Sequence, residues 1–377
     1  MIRDLVETER SKLLSLQVLR AVAATLVVFA HTLHEAKKLV PDDHGIVWLR
    51  DIFPFEIGVD IFFVISGFVM VWISEGRRDE RGYPLTYLWA RLVRIAPPYW
   101  FYTTLMVIAL AVVPQFADTA RLSAERAFVS YVFFPGWDEP VRPLLSLGWT
   151  LNYEAFFYVY FFACLLVLRR YAVYGLLVTF PLLVLLRPLL PETGAALQFW
   201  TGPIILEFCY GAVIAMAVRR GVVLPRGVAV LMALSAVVAM VLLAPMLTYG
   251  NRPFVYGLPS ALLIAALALV PGWQRGAGVS TDTMRVLGAS SYTLYLAHPF
   301  VITVLIVLWM KLGIDAWLSP WAYVALTVLM SLAWSVVGYL AIERPLIAVA
   351  KRGTTRSRKR RPLDTPTPTG AVGAKRL

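Results

Sequence analysis

The chain has 377 residues, with 35 basic and 23 acidic side chains and a formal net charge of +12. Apolar residues make up 59% and charged residues 15%, against about 25% charged in an ordinary soluble domain. That balance excludes both a soluble globular fold and a disordered chain. Two cysteines, Cys164 and Cys209, lie inside apolar runs and supply neither a disulfide framework nor a thiolate zinc site.

Residues 1–13 form a polar, charged start, with Arg3, Arg10 and Lys12, that resembles the head of a signal peptide. The stretch behind it is long, holds Arg20 and His31, and lacks a small-residue cleavage site, so it reads as a retained helix. A bilayer core takes about 20 mostly apolar residues per helix. Ten stretches meet that length, at about 14–34, 55–74, 95–114, 147–168, 171–190, 199–218, 224–248, 254–270, 288–312 and 320–342. Unpaired backbone groups are not tolerated in lipid, and runs such as 229–243 do not alternate polar with apolar residues, which excludes barrel strands. The expected fold is all-α, a polytopic membrane helix bundle of about ten transmembrane helices over residues 14–346. Residues 347–377 read as a basic, disordered cytoplasmic tail, poor in large apolar residues.

Basic residues in the connecting segments set the orientation. With the N-terminus cytoplasmic, the inner segments hold 25 basic residues and the outer segments 9, with Arg20 inside a span. Both termini are therefore expected in the cytoplasm. The tail after Ala350 carries nine basic residues and one acid, so +8 of the +12 belongs to it. It suits a solvated anchor near anionic lipid; no nucleic-acid-binding module accompanies it.

Ionisable residues inside a span are costly and mark a site by default. Arg20, His31, Asp60, Glu154, Glu207 and His298 are the candidates. Arg20 and His31 are eleven residues apart, close to three turns, so they share a helix face about 16 Å apart. The span directions put His31, Glu154 and Asp60 at similar depth in the outer half. A His beside a carboxylate suits proton transfer, or is a packing ion pair. His31, His34 and Glu35 share a face but fall short of a zinc-helix pattern. Arg91 and Arg94, just ahead of Pro97-Pro98, suit either topology or a polyanionic phosphate ligand. No P-loop or Rossmann glycine pattern supports ATP or NAD. Tyr131, Phe133, Phe134 and Trp137 lie in the outer segment 115–146, as sugar-stacking or interfacial aromatics.

These residues sit in an ordered series of motifs. They are LQVLRAVAATLVVFAH (16–31), GVDIFFVISGFVM (58–70), RLVRIAPPYW (91–100), LGWTLNYEAFFY (147–158), LEFCYG (206–211), SSYTLYLAHP (290–299) and ERP (343–345). The series resembles the acyltransferase-3 family of integral-membrane acyltransferases, in its exopolysaccharide O-acetyltransferase branch, over about residues 15–346. The resemblance implies an acyl-CoA donor, usually acetyl-CoA as co-substrate with no permanently bound cofactor. It also implies a carbohydrate hydroxyl as acceptor and a multi-pass place in a bacterial inner membrane. It implies that His31 is catalytic, that Arg20, Arg91 and Arg94 meet the donor, and that Glu154 belongs to the site, with Asp60 and Ser66 in support. On that footing His31 is the expected base or transient acyl carrier, and Glu154 its orienting carboxylate. Ser66, Asn152 and Tyr153 are candidates for the oxyanion donor; Glu207 and His298 are further supporting residues. The rival of another class is a proton-coupled secondary transporter of a glycan or small anionic solute, since intramembrane His and Glu also serve as proton relays.

Overall fold

The computed structural model describes residues 2–112, 122–137, 141–190, 194–270 and 281–359. Among these it is a bundle of fourteen α-helices joined by short 3-10 and π turns. In chain order they are α1 (Ile2–Ala36), α2 (Gly45–Ile52), α3 (Gly58–Ser74), α4 (Tyr83–Val112), α5 (Ala124–Val132), α6 (Gly148–Leu168) and α7 (Ala172–Leu186). Then follow α8 (Ala195–Trp200), α9 (Leu206–Arg219), α10 (Arg226–Leu243), α11 (Leu258–Ala268), α12 (Thr281–Lys311), α13 (Pro320–Gly338) and α14 (Arg344–Lys359).

Among the described residues, seven helical stretches are long and apolar enough to cross a membrane: Ser15–Leu39, Phe55–Ser74, Tyr83–Val112, Gly148–Leu189, Arg226–Met246, Thr283–Lys311 and Pro320–Lys351. The stretches read from the sequence at 147–168 and 171–190 both fall within Gly148–Leu189, and 254–270 falls on the shorter apolar helix Pro253–Ala268. The stretch at 199–218 is interrupted. Gly202-Pro203 ends α8, a 3-10 turn follows, and only α9 continues. Proline's missing N–H explains the break. The 14 residues of α9 rise about 21 Å, short of the roughly 30 Å hydrocarbon core.

Helix α3 is the centre of the bundle. It is apolar all round and largely buried, as expected of a helix enclosed by others. It packs on α1 on one side and α9 on the other, while α1 in turn packs on α12, and α12 on α13. The α3–α9 contact is backbone on backbone. A Cβ at Gly67 would fall 2.8 Å from Phe208 Cα, and one at Gly211 would fall 2.6 Å from the Phe68 amide nitrogen. In lipid, helices associate through such close packing rather than through the hydrophobic effect. By contrast, α10 is mostly exposed, with Leu231, Leu234 and Leu242 outward, as a lipid-facing surface requires.

Two π turns interrupt the helices, at Pro253–Gly257 and at Tyr339–Glu343. Such wider turns recur at functional sites because they re-aim side chains. Here the first directly follows Arg252, and the second ends on buried Glu343. Past the second turn, α14 carries the helix to Lys359. The helix propagates out of the last span, since propagation is far easier than nucleation. The rest of the tail lies outside the described residues.

Candidate active site

Two cavities lie along the length of α1. The first is narrow, about 90 Å³, and is lined by Arg20 of α1, Ser66 of α3, Arg91 and Arg94 of α4, and Glu154 and Tyr158 of α6. The second is about 520 Å³ and is lined by His31, Glu56, Arg142, Trp149, Asn152 and Arg252, among others. That volume falls in the usual range for a small-molecule site, about 300–1,000 Å³. Val59 and Tyr295 line both cavities, so they form the partition between them.

The arginine cavity is electropositive with one acid in it. Among the described residues, none of Arg20, Arg91 and Arg94 forms an ion pair, and the Arg91 Nε is buried with no hydrogen-bond partner. A buried, unsatisfied guanidinium nitrogen carries a real free-energy cost. Glu154 Oε1 accepts from Ser66 Oγ at 3.2 Å and from the Tyr158 hydroxyl. Glu343 faces Arg94 and Arg20, and its carboxylate accepts from Thr293 Oγ1 at 2.6 Å. Tyr292 lines the same cavity and donates to the Ile95 carbonyl at 2.8 Å, tying α12 to α4 just ahead of Pro97-Pro98.

The histidine cavity has different chemistry. His31 Nδ1 lies 2.9 Å from the Val27 carbonyl one turn back. A carbonyl only accepts, so Nδ1 carries the hydrogen and Nε2 the lone pair. The His31 ring stands against that of His298, with centroids 5.0 Å apart. Arg252 enters the cavity wall while pairing with Asp60 behind it: Nε to Oδ1 and a terminal nitrogen to Oδ2, both 2.8 Å. Asn152 reaches the cavity with a buried Oδ1 that has no partner among the described residues.

The expected pairing of His31 with Glu154 is not what the structure contains. Depth was legible from sequence, but direction was not. On α6, Thr150, Glu154 and Tyr158 repeat every four residues and line the arginine cavity, whereas Trp149 and Asn152 line the histidine cavity. Two residues along a helix turn it by about 200°, so Asn152 and Glu154 point to different places. Ser66 follows Glu154 into the arginine cavity. Tyr153 lines neither cavity; its ring stacks on Phe199 at 4.0 Å and it is buried. Asp60 and Glu207 are fully buried beside one another behind the histidine cavity. Arg20 and His31 do lie on one helix, one at each cavity.

Sequence reasoning missed Arg252, Tyr158 and Tyr295. Arg252 is one of the nine basic residues assigned by sequence to the outer segments, though it directly precedes an apolar helix that opens on Pro253. Tyr158 stands one turn after Glu154, and Tyr295 three residues before His298. Both spacings were available. Between α5 and α6, Pro135, Val141 and Arg142 reach the histidine cavity. Of the aromatics there, the Tyr131 carbonyl accepts from Trp100 Nε1 at 2.8 Å, the Phe133 ring packs on Tyr99, and Phe134 packs on Trp137.

A helical membrane bundle with arginines in one internal cavity and an imidazole with a free ring nitrogen in the next has the equipment of a membrane-embedded acyl-transfer enzyme. The chain belongs to the acyltransferase-3 family, whose model, described as an acyltransferase domain, matches residues 13–340. It is 30% identical to the exopolysaccharide production protein ExoZ of Rhizobium meliloti (strain 1021), over 79% of this chain and 90% of that protein. It is 28% identical to the acyltransferase MdmB of Streptomyces mycarofaciens, over 77% of this chain and 79% of that protein. No solved structure matches it.

Proposed function

We propose that this membrane acyltransferase moves an acetyl group from acetyl-CoA to a hydroxyl of an exported or cell-surface polysaccharide, or of its lipid-linked precursor. The observation that carries this reading is the pairing of the two cavities along α1. Arginines without ion-pair partners stand at one, the His31 base at the other, and a shared wall of Val59 and Tyr295 lies between. Kinship with a protein of exopolysaccharide production supports the acceptor class.

The arginine cavity takes the donor. Its guanidiniums suit the phosphates of a nucleotide, and the basic residues of the connecting segments favour placing that end toward the cytoplasm in a bacterial inner membrane. The pantetheine arm then runs along α1 past Val59 and Tyr295. His31 Nε2 takes the proton of the acceptor hydroxyl; the oxygen bonds to the thioester carbonyl carbon; the carbon–sulfur bond breaks; the proton passes to the thiolate. Glu154 serves the donor side, holding Ser66 and Tyr158 and offsetting the arginines. Trp149 and Asn152 meet the acceptor.

The test is His31→Ala in full-length protein that inserts at the normal level. Glycan-bound acetate, measured by mass spectrometry of surface polysaccharide, is expected to vanish. Wild-type acetylation by this variant would overturn the assignment.

A further inference from the structure

His298 lies in α12 and is fully buried. Its Nδ1 is 3.1 Å from the Leu294 carbonyl, one turn back. This repeats the arrangement at His31 and fixes the same tautomer: hydrogen on Nδ1, lone pair on Nε2. The His298 Nε2 is buried and has no hydrogen-bond partner among the described residues. A buried acceptor left unpaired is costly and calls for a donor at some stage of the working cycle. Two aromatic rings stand against His298. One is Tyr295, centroids 6.2 Å apart, whose hydroxyl is engaged by Thr150 Oγ1 at 2.8 Å and the Leu147 carbonyl at 3.3 Å. The other is His31, at 5.0 Å with the planes 54° apart. Of the two, His31 is the ring that gains a proton during turnover.

We propose that His298 is a positioning residue whose Nε2 accepts a hydrogen bond from the imidazolium that His31 becomes during acyl transfer. This rests on His31 acting as the base. The hydroxyl O–H bond breaks, and its proton goes to His31 Nε2 while the oxygen bonds to the acyl carbon. That oxygen no longer holds the new N–H. His31 Nδ1–H still donates to the Val27 carbonyl, so His298 Nε2 holds the other N–H. When the carbon–sulfur bond breaks, the proton leaves His31 for the thiolate sulfur. His298 itself neither gains nor loses a proton.

The experiment compares His298→Gln, His298→Asn and His298→Phe in the full-length protein in liposomes. The substrates are labelled acetyl-CoA and de-O-acetylated surface polysaccharide of the source cells. Gln carries an acceptor oxygen near the place of Nε2, Asn only near Nδ1, and Phe none. His298→Phe is expected to lower kcat about 10–100-fold, the range for a lost hydrogen bond to a charged group. The KM for acetyl-CoA stays within about two-fold, because the donor cavity is separate. Gln restores most of the rate and Asn does not; Asn equal to Gln, or wild-type turnover by Phe, overturns the proposal. The Gln–Asn order holds the test even where Phe fails to insert. Nitrogen-15 shifts of labelled protein provide a readout independent of turnover: a hydrogen on His298 Nε2 at rest also overturns the proposal. If His31→Ala transfers acetate normally, the base reading itself falls. If His31→Ala is inactive and His298→Phe is not impaired, only this inference falls.

Discussion

Arg252 grips both oxygens of Asp60 at 2.8 Å each, joining residues 192 positions apart at the wall of the cavity that holds His31. Asp60 is fully buried, and the Arg252 side chain is 20% exposed. Glu207 lies fully buried against the same pair. The bidentate geometry explains the choice of arginine, since a lysine offers a point charge and no planar fork.

Removing one partner of such a pair strands the other, at a cost of about 3–5 kcal/mol. Asp60→Asn is therefore expected to lower the thermal unfolding midpoint of the detergent-solubilised protein clearly, and Arg252→Lys to lower it less. Cys164 and Cys209, both buried, report the transition through a thiol-reactive dye. An unchanged midpoint for Asp60→Asn would show that the pair does not hold the fold.

The separation of Glu154 from His31 has a kinetic signature. Arg91→Ala and Glu154→Gln touch the arginine cavity, the proposed donor site, so both should raise the KM for acetyl-CoA, Arg91→Ala by about tenfold or more for a lost charge-assisted contact. His31→Ala should abolish kcat and leave acetyl-CoA binding intact. A pure kcat defect in Glu154→Gln would restore the direct His–Glu pairing that its depth in the membrane suggested.

The glycine contact between α3 and α9 sets the spacing of these two helices. Gly67→Ala and Gly211→Val place a side chain on the opposing backbone, which has no rotamer with which to yield. Overpacking costs about 1–3 kcal/mol, and these two belong at the upper end or beyond. Fluorescence-detected size exclusion should show loss of the monodisperse species for Gly211→Val. A wild-type profile would mean that α3 and α9 can separate without penalty.

The membrane class, the helical fold and the short list of ionisable residues inside apolar runs were legible in the sequence. Hydropathy is a local property, and a charge inside a 20-residue apolar run stands out without any knowledge of its neighbours. The Arg20–His31 spacing was legible for the same reason: both residues belong to one helix of fixed rise and turn. What only the tertiary structure decided is direction. Each helix carries its residues to a known depth, but its rotation about its own axis is set by packing against others. That rotation sent Glu154 to the arginines and left His31 beside His298. It also brought Arg252, which linear reading counts as a loop charge, onto Asp60. The contact is made by chain segments far apart in sequence, and no local pattern encodes which of them meet.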